Sequence, residues 1–337
     1  MTLSVNPSPR RVAVVMAAAA AALGISLGVR QGWGLYIAPM TLDLGWSFEA
    51  FGLAIAIQNL LWGATQPVAG MLADRYGSGR IIGVGAAFYG LGVWGMSMAV
   101  TPVALHLTAG VLIGIGMSGA GISVIYSAVA RMVEPSRRTH ALAMVSAMSG
   151  IGPLLLPKIS EQLIAGYGWH LALVATAVFA LLMVGLASQL TGRSVVDAGA
   201  RSQNWREALS EAGGKQGYIL LTFGFFVCGF HVTFIGTHLP GFIAWCGLPL
   251  HVAGSALALI GAANIAGTWL AGVLSRRYRQ KNLLSLIYLG RAVLLAGLIV
   301  APRTEWTIYA FSAVFGLLWL STVPLTSGLV ARMFGAQ

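Results

Sequence analysis

This chain is short of charge, and shorter still of acid. Only 9% of its residues are charged, with nine Asp and Glu set against 20 Lys and Arg. A soluble domain is about a quarter charged, so a solvated globular surface is excluded. Cysteine is almost absent: Cys228 and Cys246 are the two. They fall too far apart along one helix to pair, leave the redox compartment open and offer no metal site. The sequence holds no His-x-x-x-His, no Gly-x-x-x-x-Gly-Lys and no pair of carboxylates within an apolar run. Those absences argue against zinc hydrolysis, phosphate-loop chemistry and paired-acid catalysis. No enzyme activity, no cofactor and no metal are expected.

What the chain has instead is apolar length. Hydrophobic residues make up 57% and the mean hydropathy is +0.81. Runs of roughly 18 or more apolar residues recur, each long enough to cross a ~30 Å hydrocarbon core as a helix. They are continuous rather than alternating, which selects helices over a barrel. The reading is an all-α polytopic membrane protein of about ten spans: 12–37, 50–72, 80–100, 103–129, 140–163, 170–191, 217–240, 252–274, 283–301 and 306–330. Pro9-Arg10-Arg11 followed by alanines has the look of a secretory leader, but the run continues through Gly24, Gly28 and Arg30, as an uncleaved first helix would.

The net charge of +11 invites a nucleic-acid partner, and its distribution refuses one. Sixteen of the 20 basic residues fall in loops on one side: Arg10, Arg11, Arg75, Arg80, Arg131, Arg137, Arg138, Arg193, Arg201, Arg206, Lys215, Arg276, Arg277, Arg279, Lys281 and Arg332. Arg303 alone falls on the other, and Arg30, Lys158 and Arg291 lie within spans. The excess orients the first side, with both termini, to the cytoplasm of a bacterial-type inner (plasma) membrane, the lipid bilayer being the main partner.

The longest polar stretch, Gly192–Gln216, separates six spans from four, and its Trp205–Ala212 has the pattern of a short amphipathic surface helix. The expected domains are a six-helix bundle (1–191), a cytoplasmic linker (192–216) and a four-helix bundle (217–337). The halves resemble each other. At an offset of 202, Gly70–Ile82 lies over Gly272–Leu284, matching Gly, Leu, Arg and Tyr; at 201, Ala130-Arg131-Met132 lies over Ala331-Arg332-Met333. Parallel repeats of this kind build one large class of transporters.

Between two apolar runs sits GMLADRYGSGR, Gly70–Arg80. Its Gly-x-Leu-Ala-Asp-Arg-x-Gly resembles the loop between the second and third helices of the major facilitator superfamily of transporters. The resemblance implies that fold, two pseudo-symmetric bundles, and a conformational gate formed by Gly70, Asp74, Arg75, Gly77, Arg80 and Arg131. In it Gly70 allows close helix approach, Gly77 suits a tight turn, and Asp74 latches the halves, partly through the N-terminus of an eleventh helix. Ser78 and Gly79 replace further basic residues of the pattern. Against that pattern the second half stops after its fourth span, so two helices are expected to be lacking. Gly150-Ile151-Gly152-Pro153 is a packing and kink feature, and Gly24, Gly28 and Gly32, like Gly110, Gly114 and Ser118, are small-residue packing ridges.

Ionisable residues inside a bilayer are functional candidates. Here they are Arg30, Lys158, Arg291, His231 and His238, whereas Asp43, Glu49 and Glu161 sit at outer ends of spans. A cation at depth must be neutralised, solvated or met by an anion from outside, and an anionic substrate meets that need. Arg30 carries the planar fork that suits a carboxylate, its alternative being to snorkel or to hold a backbone carbonyl. Lys158 is close enough to its helix end to snorkel, and Arg291 suits a structural pairing. His231 and His238, seven apart on one helix face, can carry a coupling proton. Gln58, Asn59 and Asn264 fall near mid-membrane and complete the candidate substrate contacts, with inter-helix bonding as the alternative for each. Arg30-Gln31-x-Trp33-Gly34-Leu35 and Leu44-Gly45-Trp46-Ser47 resemble the monocarboxylate and oxalate–formate-type branch, which implies a monomeric secondary transporter of a small organic anion, by proton symport or by exchange. Efflux of a neutral drug or sugar, or a non-transporting truncated membrane protein, are the alternatives.

Overall fold

The structure, a computed structural model, describes residues 9–134, 138–190 and 205–334. Arg137, Arg193, Arg201 and most of the predicted linker (192–204) lie outside the described residues. All regular structure among the described residues is helical, and it falls into two compact units, Met1–Ser194 and Val195–Gln337.

The first unit contains α1 (Pro9–Gln31), α2 (Trp33–Leu44), α3 (Phe48–Tyr76), α4 (Ser78–Ser97), α5 (Pro102–Leu105), a π-helical segment (His106–Leu112), α6 (Ile113–Gly119), α7 (Ile122–Met132), α8 (Arg138–Ser149) and α9 (Ile151–Ala187). The second contains α10 (Trp205–Gly214), α11 (Gln216–Trp245), α12 (Leu250–Leu274), α13 (Gln280–Val300), α14 (Glu305–Leu318) and α15 (Thr322–Phe334). The short helix expected from Trp205 is α10.

Among the described residues, seven helical stretches are long and apolar enough to cross a membrane: Arg10–Gln31, Pro102–Met132, His140–Ala187, Gln216–Trp245, Leu250–Leu274, Gln280–Val300 and Glu305–Val330. That is fewer than the ten spans expected. One of the seven, His140–Ala187, is 48 residues long and spans both predicted segments 140–163 and 170–191. It kinks at Gly168, whose φ of 80° and ψ of 166° fall where only glycine sits comfortably. No polar loop marks that turn.

Several expected single spans are broken. The first divides at Gly32, where Gly32 N–H and Leu35 N–H bond three residues back, to Val29 and Gly32, at 3.1 and 3.0 Å. The fourth contains the π-helical segment and then stops at Ala120–Gly121; the last stops at Trp319–Ser321. Hydropathy reads an average over a run, and these breaks are local backbone events that leave the average unchanged.

Small residues set the packing. A Cβ on Gly28 would lie 2.5 Å from the Gly152 carbonyl oxygen, and one on Gly24 3.1 Å from that of Ser149. The glycine ridge of α1 is therefore seated on α8 and the start of α9, and the chain kinks at Gly150 between them, as expected of both features. Gly114 of α6 sits on Gln58, a Cβ there lying 2.8 Å from the Gln58 carbonyl. Large apolar side chains point outward in both units, Leu60, Phe226 and Val300 being exposed, as lipid-facing helices require.

Candidate functional site

Arg30 stands in the last turn of α1, beside the break at Gly32, where the helix C-terminus presents carbonyl oxygens and partial negative charge. Its guanidinium is half-buried. Nη2 donates to Asn59 Oδ1 at 2.9 Å, and the guanidinium carbon lies 4.9 Å from the centre of the Trp62 ring. Asn59 in turn donates from Nδ2 to the Ile55 carbonyl at 2.7 Å, which fixes its oxygen toward Arg30. One turn below Arg30, the buried Tyr89 hydroxyl donates to the Ser26 carbonyl at 3.0 Å and pins α4 to α1. The two ion pairs described in this unit engage other cations, Arg131 with Asp74 and Lys158 with Glu161.

Of the expected substrate contacts, the structure brings Arg30 and Asn59 together. Gln58 is turned away from them, since neighbouring helical residues point about 100° apart. It is 1% exposed and donates from Nε2 to the Ala109 carbonyl at 2.7 Å. Ala109 lies in the π-helical segment, where the widened turn alters the normal bonding, and lipid offers no replacement donor. Gln58 thus joins helices, as the alternative reading of it held. Trp62 was not singled out in the sequence. An indole reads as one more apolar residue until its neighbour is known, although it lies three residues after Asn59, on the same face. Its Nε1 is buried and has no hydrogen-bond partner among the described residues.

In the second unit Asn264 is likewise spent on structure. Its Oδ1 accepts the Leu320 backbone N–H at 3.0 Å and the Thr268 hydroxyl at 3.3 Å, mending the break between α14 and α15. Arg291 mends the other side. It is fully buried, and Nη2 donates to the Leu318 and Trp319 carbonyls at 2.6 and 2.5 Å, with Nε on Leu318 at 3.2 Å. The structural pairing expected of Arg291 is therefore with backbone. His231 is half-buried, its shielded Nδ1 taking no hydrogen bond from the described residues, whereas His238 is exposed, its ring 5.0 Å from that of Phe234.

The loop after α3 is held by Gly77, whose φ of 99° and ψ of 138° let the chain leave α3 and enter α4 with no intervening coil. Asp74 pairs with Arg131 at the end of α7, and Arg131 Nη1 also donates to Ser78 Oγ at 2.7 Å. Ser78, which stands where the pattern has a basic residue, is thus a partner of Arg131. Arg75 and Arg80 are exposed, Arg75 lying 5.4 Å from the Tyr76 ring. The close helix approach expected at Gly70 is not made: a Cβ there would meet nothing within 4 Å. Gly79 makes one instead, a Cβ lying 2.7 Å from the Ala187 carbonyl of α9.

A membrane-embedded helical chain with this charged turn, broken helices and a buried cation agrees with a family match that covers residues 9–337. The chain belongs to the Major Facilitator Superfamily. Its relatives in that superfamily are distant. It is 24% identical over 316 residues to the uncharacterized transporter YhjX of Escherichia coli, covering 92% of this chain and 78% of YhjX. It is 30% identical over 142 residues to the human voltage-gated purine nucleotide uniporter SLC17A9, covering 39% of this chain and 31% of that protein. The fold is similar to that of the nucleoside transporter NupG, with a TM-score of 0.77 at 13% identity over 96% of this chain and 83% of that one. These likenesses point to a membrane transporter rather than an enzyme, with a small-molecule substrate and a bilayer around it.

Proposed function

We propose that this superfamily member is a secondary transporter of a small organic anion, a mono- or dicarboxylate, and that Arg30 is its anchor. The carrying observation is the setting of Arg30: a guanidinium at a helix break within a span, oriented by an amide on one side and an indole face on the other. A side chain so held loses little freedom on meeting a planar carboxylate, which accepts two parallel N–H bonds. Broken helices at mid-membrane are where such carriers bind. That the relative SLC17A9 is a purine nucleotide uniporter supports an anionic cargo as well.

In this reading the two units are bundles of six and four crossings that alternate access, the basic loops face the cytoplasm of the plasma membrane, and the Asp74–Arg131–Ser78 cluster belongs to the gate. Anion counterflow in proteoliposomes tests it. Truncating one partner of a buried charge pair costs about 2–5 kcal/mol, so Arg30→Ala should lower carboxylate exchange at least roughly thirtyfold, with Arg30→Lys in between. Exchange indifferent to Arg30→Ala in a monodisperse protein would end the proposal.

A further inference from the structure

Lys158 and Glu161 face each other one turn apart on α9, Nζ to Oε2 at 2.6 Å. Glu161 was expected at an outer helix end and Lys158 to snorkel, yet the Glu161 side chain is only 6% exposed. Its buried Oε2 faces the Lys158 ammonium and takes no hydrogen bond from another described group. A buried ion pair is weak evidence for stability, because desolvation offsets attraction.

The pair lies at the level of Arg30. α1 and α9 run side by side, Gly28 against Gly152 and Leu156, and Gly32 facing the Ser160 hydroxyl, 3.7 Å from an added Cβ. Arg30 falls between the two contacts on one helix and Lys158 between them on the other. The helices packed on α9 are α1, α2, α4 and α8. Their titratable groups are Arg10, Arg11 and Arg30 on α1, Tyr36 and Asp43 on α2, Arg80 and Tyr89 on α4, and Arg138 and His140 on α8. Tyr36 is bonded to Thr176 at 2.9 Å, Tyr89 to the Ser26 carbonyl, and Asp43 accepts from Trp169 Nε1 at 3.0 Å. Arg10, Arg11, Arg80, Arg138 and His140 sit toward the other end of their helices. The charges at this level are two cations and one carboxylate.

We propose that Glu161 is the proton-binding site that couples transport, with Lys158 as its reporter to the substrate. The inference rests on the anion-transport reading above. When Glu161 takes a proton from the aqueous side, its negative charge is lost and the Lys158 ammonium is released from the pair. The level then carries one more net positive charge, and an anion binds more tightly. When the proton leaves, Lys158 closes on Glu161 again and the anion is weakened. One proton and one monoanion travel together, so the loaded and empty carriers carry the same charge. Linkage makes the effect mutual: the anion raises proton binding by the same factor.

The test uses the full chain in proteoliposomes with labelled formate, lactate, oxalate and succinate, measured as exchange at equal pH and as uphill uptake under an imposed pH gradient. The expected result is gradient-driven uptake by the wild type and, in Glu161→Gln, a fall in that uptake at least fivefold greater than the fall in exchange, the lower end of coupling factors. Glu161→Asp should restore part of the gradient response. Wild-type exchange with no gradient-driven uptake, or Glu161→Gln with both measures lowered equally in a folded protein, overturns this inference and leaves the anion reading standing. If Glu161→Gln does not fold, the neutral double variant Lys158→Gln/Glu161→Gln decides: exchange without gradient response supports the assignment, and a retained gradient response overturns it. A wild type that exchanges none of the four anions, with a folded protein, defeats the transport reading itself.

Discussion

Each unit sets an arginine beside a broken helix, and the two are used in opposite ways. Arg30, in the first unit, is held by side chains, the amide of Asn59 and the ring of Trp62. Arg291, in the second, is held by main chain, the carbonyls of Leu318 and Trp319. Side-chain partners can turn aside and release a guanidinium to a ligand. Carbonyls at the end of a helix inside lipid have no other donor, and releasing them is expensive. The difference teaches that charge at membrane depth does not by itself mark a binding site; the partner does.

Four substitutions break or sharpen that contrast. Arg291→Gln should cost the most stability, about 3–5 kcal/mol, as the loss of a buried charged partner does. The measurement is the unfolding midpoint in detergent, and normal stability with lost transport would reverse the roles assigned to the two arginines. Arg30→Ala should do the converse, reducing carboxylate exchange by the thirtyfold or more given above while leaving the midpoint close to wild type. Gly77→Ala forces a side chain into a backbone region reserved for glycine, and should lower stability by about 1–3 kcal/mol. The same midpoint reads it, against Gly70→Ala, where open space predicts no loss. Smallest is Asp74→Asn, since an exposed ion pair is worth about 0–1 kcal/mol. Its effect belongs in the rate of exchange, and a large loss of stability would show that the Arg131 cluster is a structural clasp.

The helices and the charged turn were legible because apolar length, loop charge and Gly77 all leave marks in the sequence. Arg30 was legible for the same reason, a cation in an apolar run. The uses of Gln58 and Asn264 were not, because an amide at mid-span reads the same whether it meets a solute or a neighbouring carbonyl. Only the π-helical segment and the break at Trp319–Ser321 decide between those, and neither has a hydropathy signature. Trp62 was hidden by being apolar, and Gly168 by the lack of any polar loop around it. The Lys158–Glu161 spacing was visible as a three-residue charge pair, but an end-of-helix position made each seem solvated.

The π-helical segment His106–Leu112 has a further consequence for how this chain tolerates change. Such a segment holds one residue more than an α-helix would over the same turn. Removing a single residue there would restore the ordinary winding over that turn and leave the residues beyond it facing as they do now. Gly114, Gly116 and Gly119, which lie against Gln58, Tyr89 and Gly85, would keep those seats. A deletion in the ordinary α-helix that follows has no such slack: it swings the residues beyond it by about 100° and unseats α6 from α3 and α4. A one-codon deletion within the π-helical segment should therefore be far less damaging than one in α6.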